Sequence, residues 1–211
     1  MFDYILFDFD GTVFDTVEGI TKSIRYALNK HGIDAPLEEL RCFAGPPLVD
    51  MFMEKYGVDE ETAKQYVADF RERYKPIGLY GCCVFPGVKE LLCELKKRGK
   101  RLAIASSKPQ ELIIELLKRE GMYELFESVC GAVGGLNDAK WQVVERAMKE
   151  LSADKESSIL VGDTKYDVIG AHKCGIKCVG VEYGYAAPGD FEASGADYIV
   201  KDTAELLTLL G

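Results

Sequence analysis

The sequence predicts a doubly wound parallel α/β sheet with a small all-helical domain inserted after its first strand. Three observations carry that expectation. The apolar run Tyr4-Ile5-Leu6-Phe7 stops abruptly at Asp8-Phe9-Asp10-Gly11-Thr12, the signature of a buried strand leaving a sheet. From Val84 to Gly211 short apolar runs alternate with amphipathic stretches, the pattern of parallel strands joined by right-handed crossover helices. Between Phe14 and Cys83 no strand signal interrupts the helical periodicity. Residues 1–14 and 84–211 are therefore expected to form the α/β core, and 15–83 the inserted helical domain, with hinges at Val13–Asp15 and Tyr80–Phe85.

Each element has a local reason. Asp15 with Glu18 makes a capping-box-like start to a helix whose apolar stripe is Val17, Ile20, Ile24, Ala27 and Leu28, and which stops at Gly32. Gly45-Pro46-Pro47 is a rigid loop that sets Pro47 in the first turn of a second helix bearing Leu48, Met51 and Phe52. A third starts near Asp59, with Ala63, Tyr66, Val67 and Phe70 on one face. In the core, an amphipathic helix from Val88 stops at Gly99, and a strand over Arg101–Ala105 runs into Ser106-Ser107-Lys108-Pro109. A helix with Leu112, Ile113, Leu116 and Leu117 follows, then a weaker strand around Ser128–Gly131 and a Gly-rich loop to Lys140, which opens a helix. The strand Ser158–Val161 ends in Gly162-Asp163; a helix from about Tyr166 closes at Gly175. Strands Lys177–Val181 and Tyr198–Val200 and a helix capped by Asp202 complete the chain.

Composition narrows the chemistry. With 26 Lys plus Arg against 35 Asp plus Glu, the 211-residue chain carries a formal charge of −9, which repels a phosphate backbone, so nucleic-acid binding is not expected. Asp3, Asp8 and Asp10 break the first apolar run, so no secretory signal is expected, and no uncharged stretch is apolar enough to span a bilayer. Seven cysteines, an odd number, fit reduced, packed thiols. The expectation is a cytoplasmic monomer without a membrane partner. With two histidines, His31 and His172, a Ser-His or Cys-His engine has little to work with. The chemistry to expect is that of carboxylates.

In open α/β sheets ligands bind at the carboxyl ends of the strands. The residues expected there are Asp8, Asp10, Ser106, Lys140 and Asp163. Asp8 and Asp10, two apart in extended chain, face one side, and their repulsion demands a cation or a proton. A carboxylate cluster suits Mg²⁺, while Lys140 and Ser106 supply a cation and a donor for an anion; a phosphate fits both halves. In this reading Asp8 is the nucleophile and Asp10 the acid and then the base. Lys140, Ser106 and backbone amides near Gly11 hold the phosphoryl oxygens. Gly11, Thr12 and Ser107 are the expected substrate-side contacts. Read singly, Asp-x-Asp is an ordinary strand end, Ser106 a helix cap, Asp167 equally a cap for the helix that follows, and Glu18 and Arg41 solvated.

Taken in order, Asp8-Phe9-Asp10-Gly11-Thr12, the strand ending in Ser106, Lys140, and Gly162-Asp163-Thr164-Lys165-Tyr166-Asp167 resemble the four motifs of haloacid dehalogenase superfamily phosphatases, across essentially the whole chain. The inserted helical stretch resembles that superfamily's helical cap in its first insertion position. Gly45-Pro46-Pro47-Leu48, Ser107-Lys108-Pro109 and Gly195-Ala196-Asp197-Tyr198 resemble the phosphoglycolate phosphatase subgroup. The resemblance implies Mg²⁺ held by Asp8, the backbone carbonyl of Asp10, and Asp163, with Asp167 supporting the metal through water. Two departures stand out: Ala105-Ser106-Ser107 replaces a common Thr-Asn, and Asn137 stands where relatives often carry Arg. The expected activity is hydrolysis of a small phosphorylated metabolite such as phosphoglycolate, a nucleoside 5′-monophosphate or pyrophosphate. A β-phosphoglucomutase-like mutase shares the core, but the Gly-Pro-Pro-Leu loop leans against it. A dehalogenase would not need Asp10, and a phosphorylatable signalling module would lack the inserted helices.

Overall fold

A computed structural model of the chain describes residues 2–133 and 139–211; Asn137 and most of the Gly-rich loop lie outside them. The chain forms two compact units, Met1–Phe14 with Val84–Gly211, and Asp15–Cys83.

The first unit is built on six parallel strands: β1 (Tyr4–Phe7), β4 (Arg101–Pro109), β5 (Ser128–Ala132), β6 (Ser158–Gly162), β7 (Lys177–Val181) and β8 (Tyr198–Val200), in the order β5-β4-β1-β6-β7-β8. This is the doubly wound α/β sheet that the alternation of elements predicts. β1 lies at the centre, with Phe7 opposite Ile104 of β4 on one side and Val161 of β6 on the other. Ile5, Leu6 and Phe7 are fully buried, as expected of a parallel strand covered on both faces. Leu6, Ala103, Ala105 and Leu160 pack beneath α6 (Lys140–Leu151) and α7 (Lys165–Cys174) through Val144, Ala147, Val168 and Ala171. The alternate residues Ile5, Phe7, Leu102, Ile104, Ile159 and Val161 are buried on the opposite face. The remaining core helices are α4 (Val88–Lys97), α5 (Gln110–Arg119), α8 (Asp190–Ser194) and α9 (Thr203–Leu210).

β4 is longer than its hydrophobic run suggests. Its pairing with β5 shifts register between Ala105 and Pro109 and resumes at Pro109 opposite Ala132. This irregularity carries the polar residues Ser106, Ser107 and Lys108 inside the strand rather than beyond its end. The short helix α8 also escapes sequence reading, being five residues between Gly189 and Gly195, both left-handed.

The second unit contains α1 (Val17–Lys30), α2 (Leu48–Tyr56) and α3 (Glu60–Tyr74). Pro47 precedes α2 as its N-cap, one residue earlier than expected. α3 starts at an Asp59 cap whose side chain accepts from Thr62 N at 2.8 Å. A 3₁₀ helix over Leu37–Phe43 reads in retrospect from Leu37, Leu40 and Phe43 three residues apart, the spacing that eclipses in such a turn. Phe43, Phe52 and Tyr66 form the aromatic centre, with Phe43–Phe52 centroids at 4.8 Å and Phe52–Tyr66 edge-to-face at 5.3 Å. Buried Asp69 is held by Lys30 and by His31 Nε2 at 2.8 Å. Two-residue strands, β2 (Phe14–Asp15) and β3 (Cys83–Val84), form a separate two-stranded sheet. Among the described residues no helix is long and apolar enough to cross a membrane.

Candidate active site

Strand order reverses direction around β1, since the chain leaves it for β4 on one side and later returns to β6 on the other. The crevice at the carboxyl ends of these strands is the ligand-binding position of an open α/β sheet. Asp8 follows β1 directly, its backbone N–H donating to Val161 O at 2.9 Å. Beyond it the chain folds back tightly. Val13 and Phe14 N–H both donate to Phe9 O at 3.0 Å, and Gly11 N–H donates to Phe14 O at 2.8 Å. Gly11 has φ +81° and lies so close to Asp163 that a Cβ there would overlap the carboxylate. The Gly after Asp10 is thus a condition for bringing the end of β6 against the end of β1.

Asp163 is fully buried. Its Oδ1 accepts from Thr12 Oγ1 at 3.2 Å and its Oδ2 from the Tyr185 N–H at 3.0 Å. Asp167 stands in the first turn of α7, and its Oδ2 accepts from Thr164 N at 3.0 Å and Thr164 Oγ1 at 2.8 Å. The same residue therefore caps a helix and faces the site, two roles that sequence reasoning set against each other. Carboxylate oxygens of Asp8, Asp163 and Asp167 all lie within 4.8 Å of one another. Lys140, at the start of α6 with its side chain 9% exposed, reaches between two of them: Nζ is 2.7 Å from Asp8 Oδ1 and 2.8 Å from Asp167 Oδ1. Room for its stem is made by Gly170 of α7, where any side chain would collide with Lys140 Cγ.

Asp10 does not join this cluster with its side chain. Its carboxylate is paired instead with Lys108, whose Nζ lies 3.0 Å from Oδ1 and 3.3 Å from Oδ2. Ser106 is buried, and its Oγ accepts from Lys108 N–H at 3.4 Å; Ser107, the next residue along β4, is half-buried. The Thr12 hydroxyl is committed to Asp163, and its carbonyl accepts from Tyr183 Oη at 3.0 Å. The segment Tyr183-Gly184-Tyr185 after β7 was not singled out from sequence. It supplies the backbone donor to Asp163, and Gly184 approaches Asp163 and the Gly11 carbonyl too closely for a Cβ.

The electrostatics follow from this crowding. Burial, and then the neighbouring Asp167 and Asp8 carboxylates, push Asp163 well above the usual carboxylate range. Burial also raises Asp167; Lys140 works in the opposite sense and Asp8 adds to the rise. Burial disfavours the charge of Lys140, but Asp167 and Asp8 outweigh it and hold the ammonium above its ordinary value. Among the described residues, the carboxylates Asp8, Asp10, Asp163 and Asp167 stand against the ammonium groups of Lys108 and Lys140, a formal excess of two negative charges. One divalent cation cancels them. The donor set suits such an ion: all hard oxygens, with the buried Asp8 Oδ1 and Asp167 Oδ1 turned to one side of the cluster, 2.7 and 2.8 Å from the Lys140 ammonium.

Residues 5–181 match the family model described as Haloacid dehalogenase-like hydrolase. A protein of Pseudomonas aeruginosa named 5′-nucleotidase is 36% identical over 98% of this chain and 94% of its own. A crystal structure described as a predicted phosphatase from Clostridium acetobutylicum superposes with a TM-score of 0.95 at 38% identity, covering 100% of this chain and 98% of that one. Another, described as a predicted phosphoglycolate phosphatase from Haemophilus somnus, gives 0.84 at 25% identity, with 100% and 98% covered.

Proposed function

The chain belongs to the haloacid dehalogenase-like hydrolases and is a phosphatase of that family; on that premise we propose a Mg²⁺-dependent phosphomonoesterase that hydrolyses a small phosphorylated metabolite through a phosphoryl-Asp8 intermediate. The observation that carries this reading is the grouping of Asp8, Asp163 and Asp167 around Lys140 at the end of the central strand.

Asp8 attacks phosphorus in line, forming the Asp8 O–P bond as the P–O bond to the alcohol breaks. Asp10 gives the departing oxygen a proton and then removes one from the water that attacks the phosphoryl-Asp8, releasing inorganic phosphate and restoring the Asp8 carboxylate. Lys140 steadies Asp8 before attack and faces the negative phosphoryl oxygens during it; Ser106 and the backbone near Gly11 offer them further donors. Ser107 is placed with the substrate contacts, whereas Thr12 contributes by holding Asp163. The residues for Mg²⁺ are Asp8, the Asp10 carbonyl and Asp163, with Asp167 beside them. When bound, the ion supplies charge neutralisation for the carboxylates and the transferred group. The helical unit, residues 15–83, is assigned the role of a cap that selects the leaving group.

Phosphoglycolate heads the candidate substrates on the sequence resemblance. A second reading, a nucleoside 5′-monophosphate, is favoured by the 36% identical relative named 5′-nucleotidase. Hydrolysis of a panel containing phosphoglycolate, nucleoside 5′-monophosphates, pyrophosphate and hexose phosphates, with Mg²⁺ or with chelator, tests both. Phosphate release that needs Mg²⁺ and vanishes in Asp8→Asn supports the assignment. Near-full hydrolysis by Asp8→Asn overturns it.

A further inference from the structure

The reaction scheme above has no task for Lys108, yet the fold goes to some length to place it. Its side chain is 4% exposed and that of Asp10 13%, and an ammonium so enclosed persists only where a partner is waiting. The partner is Asp10, 98 residues away in sequence, met through both oxygens at 3.0 and 3.3 Å. Two backbone features set this up. The register shift of β4 between Ala105 and Pro109 carries Ser106 and Lys108 into buried positions two residues apart, on one face. Pro109 restricts the residue before it to extended backbone, so Lys108 is held in the conformation that keeps it on that face. The ring of Phe9, 5.8 Å from Nζ, lines the same enclosure.

A carboxylate on a tight turn rotates freely about its terminal bond unless both oxygens are engaged. Lys108 engages both. Asp8 is steadied separately by Lys140, so each of the two site lysines serves one member of the Asp-x-Asp pair. We propose that Lys108 is a positioning residue for Asp10: it fixes the orientation of the carboxyl group that passes the proton to the leaving oxygen. The inference rests on the assignment of Asp10 as acid and base. Removing Lys108 is expected to spare substrate binding and attack by Asp8 and to impair departure of those leaving groups that need a proton.

The test is leaving-group release in a single turnover of the full chain, which isolates the first step, with an alkyl phosphate and with 4-nitrophenyl phosphate, whose phenolate departs without protonation. Lys108→Met is expected to slow alkanol release about 10- to 100-fold, within the range of general acid catalysis, and nitrophenol release less than about threefold, with KM little changed. Lys108→Arg is expected to recover most of the alkyl rate. Asp10→Asn gives the reference pattern, and the double variant is expected to be no slower than Asp10→Asn alone, because the two act as one unit. Equal slowing of both esters by Lys108→Met, no slowing of either, or multiplying effects in the double variant overturns the inference while leaving the phosphatase reading intact. An Asp10→Asn protein that does not distinguish the two esters overturns the premise instead. Thermal melting shows whether Lys108→Met folds; if it does not, Lys108→Gln carries the same expectation.

Discussion

Replacing Lys140 by Met removes the positive charge between Asp8 and Asp167 while keeping most of the volume of the stem that runs past Gly170. In the native site the ammonium lies 2.7 and 2.8 Å from two buried carboxylates, and both lose their cation in the variant. Removing one partner of a buried charge pair costs about 3–5 kcal/mol. At about 2–4 °C per kcal/mol for a chain of this size, the core transition in chelator is expected to fall by roughly 6–20 °C. Excess Mg²⁺ is expected to narrow that gap, because a divalent cation supplies the missing charge to the same oxygens. Turnover does not recover with it: loss of a preorganised charge facing the phosphoryl oxygens is worth about 10²–10³ in kcat. The assays are melting followed by circular dichroism, with chelator and with Mg²⁺, and steady-state phosphate release at saturating substrate. A Lys140→Met protein that melts within about 2 °C of the parent in chelator and retains its kcat refutes the claim that this lysine holds the carboxylates together.

Three other perturbations follow from the same geometry. Asp163 is held above the usual range by burial, Asp167 and Asp8, so without metal the folded state binds the extra proton. Stability then falls as pH rises from about 4 through the folded value. Asp163→Asn is expected to flatten that slope in chelator melts and to lose most of the Mg²⁺ stabilisation, which reaches about 2.7 kcal/mol at a hundredfold excess over Kd. Gly184→Ala forces the loop away from Asp163 and breaks the Tyr185 N–H bond; a loss of about 1–3 kcal/mol in melting and at least tenfold in kcat is expected. In the helical unit, burial disfavours ionisation of Asp69, but Lys30, His31 and Gln65 outweigh it and keep its carboxyl below the ordinary range. Its contribution is present above about pH 4 and is lost as pH falls through the lower folded value. Asp69→Asn is expected to cost about 1–3 kcal/mol at neutral pH and to weaken the acid sensitivity, as read by melts from pH 7 to pH 3.

What the sequence exposed and what it hid divide along physical lines. Asp8 and Asp163 were legible because each ends an apolar run, and strand ends in a parallel sheet converge wherever the strands are neighbours. Lys140 was legible because a lysine opening a helix opposes the helix dipole. Lys108 was hidden because β4 looks finished at Ala105, where its apolar residues stop; the register shift that prolongs it leaves no hydrophobic trace. Ser107-Lys108-Pro109 marks a subgroup resemblance without a role for the lysine, and the local hints of one are the two-residue spacing from Ser106 and the proline that follows. Tyr183-Gly184-Tyr185 was hidden because its contribution to Asp163 is a backbone N–H, which any residue but proline carries. From sequence Asp167 reads as either a helix cap or a metal support, whereas a carboxylate has two oxygens: one caps α7 and the other faces Lys140. Thr12 is the converse case, a hydroxyl assigned to substrate that the fold spends on a neighbouring carboxylate.

In the proposed mechanism Asp8 carries the phosphoryl group between the two half-reactions. The direct measurement is rapid acid quenching of the enzyme within a single turnover in Mg²⁺, followed by proteolysis and mass analysis. The added mass of one phosphoryl group is expected on the peptide containing Asp8, appearing before inorganic phosphate and lost as phosphate accumulates, with none in Asp8→Asn. Phosphate release at the full rate with no labelled peptide, or with the label on another residue, would contradict it.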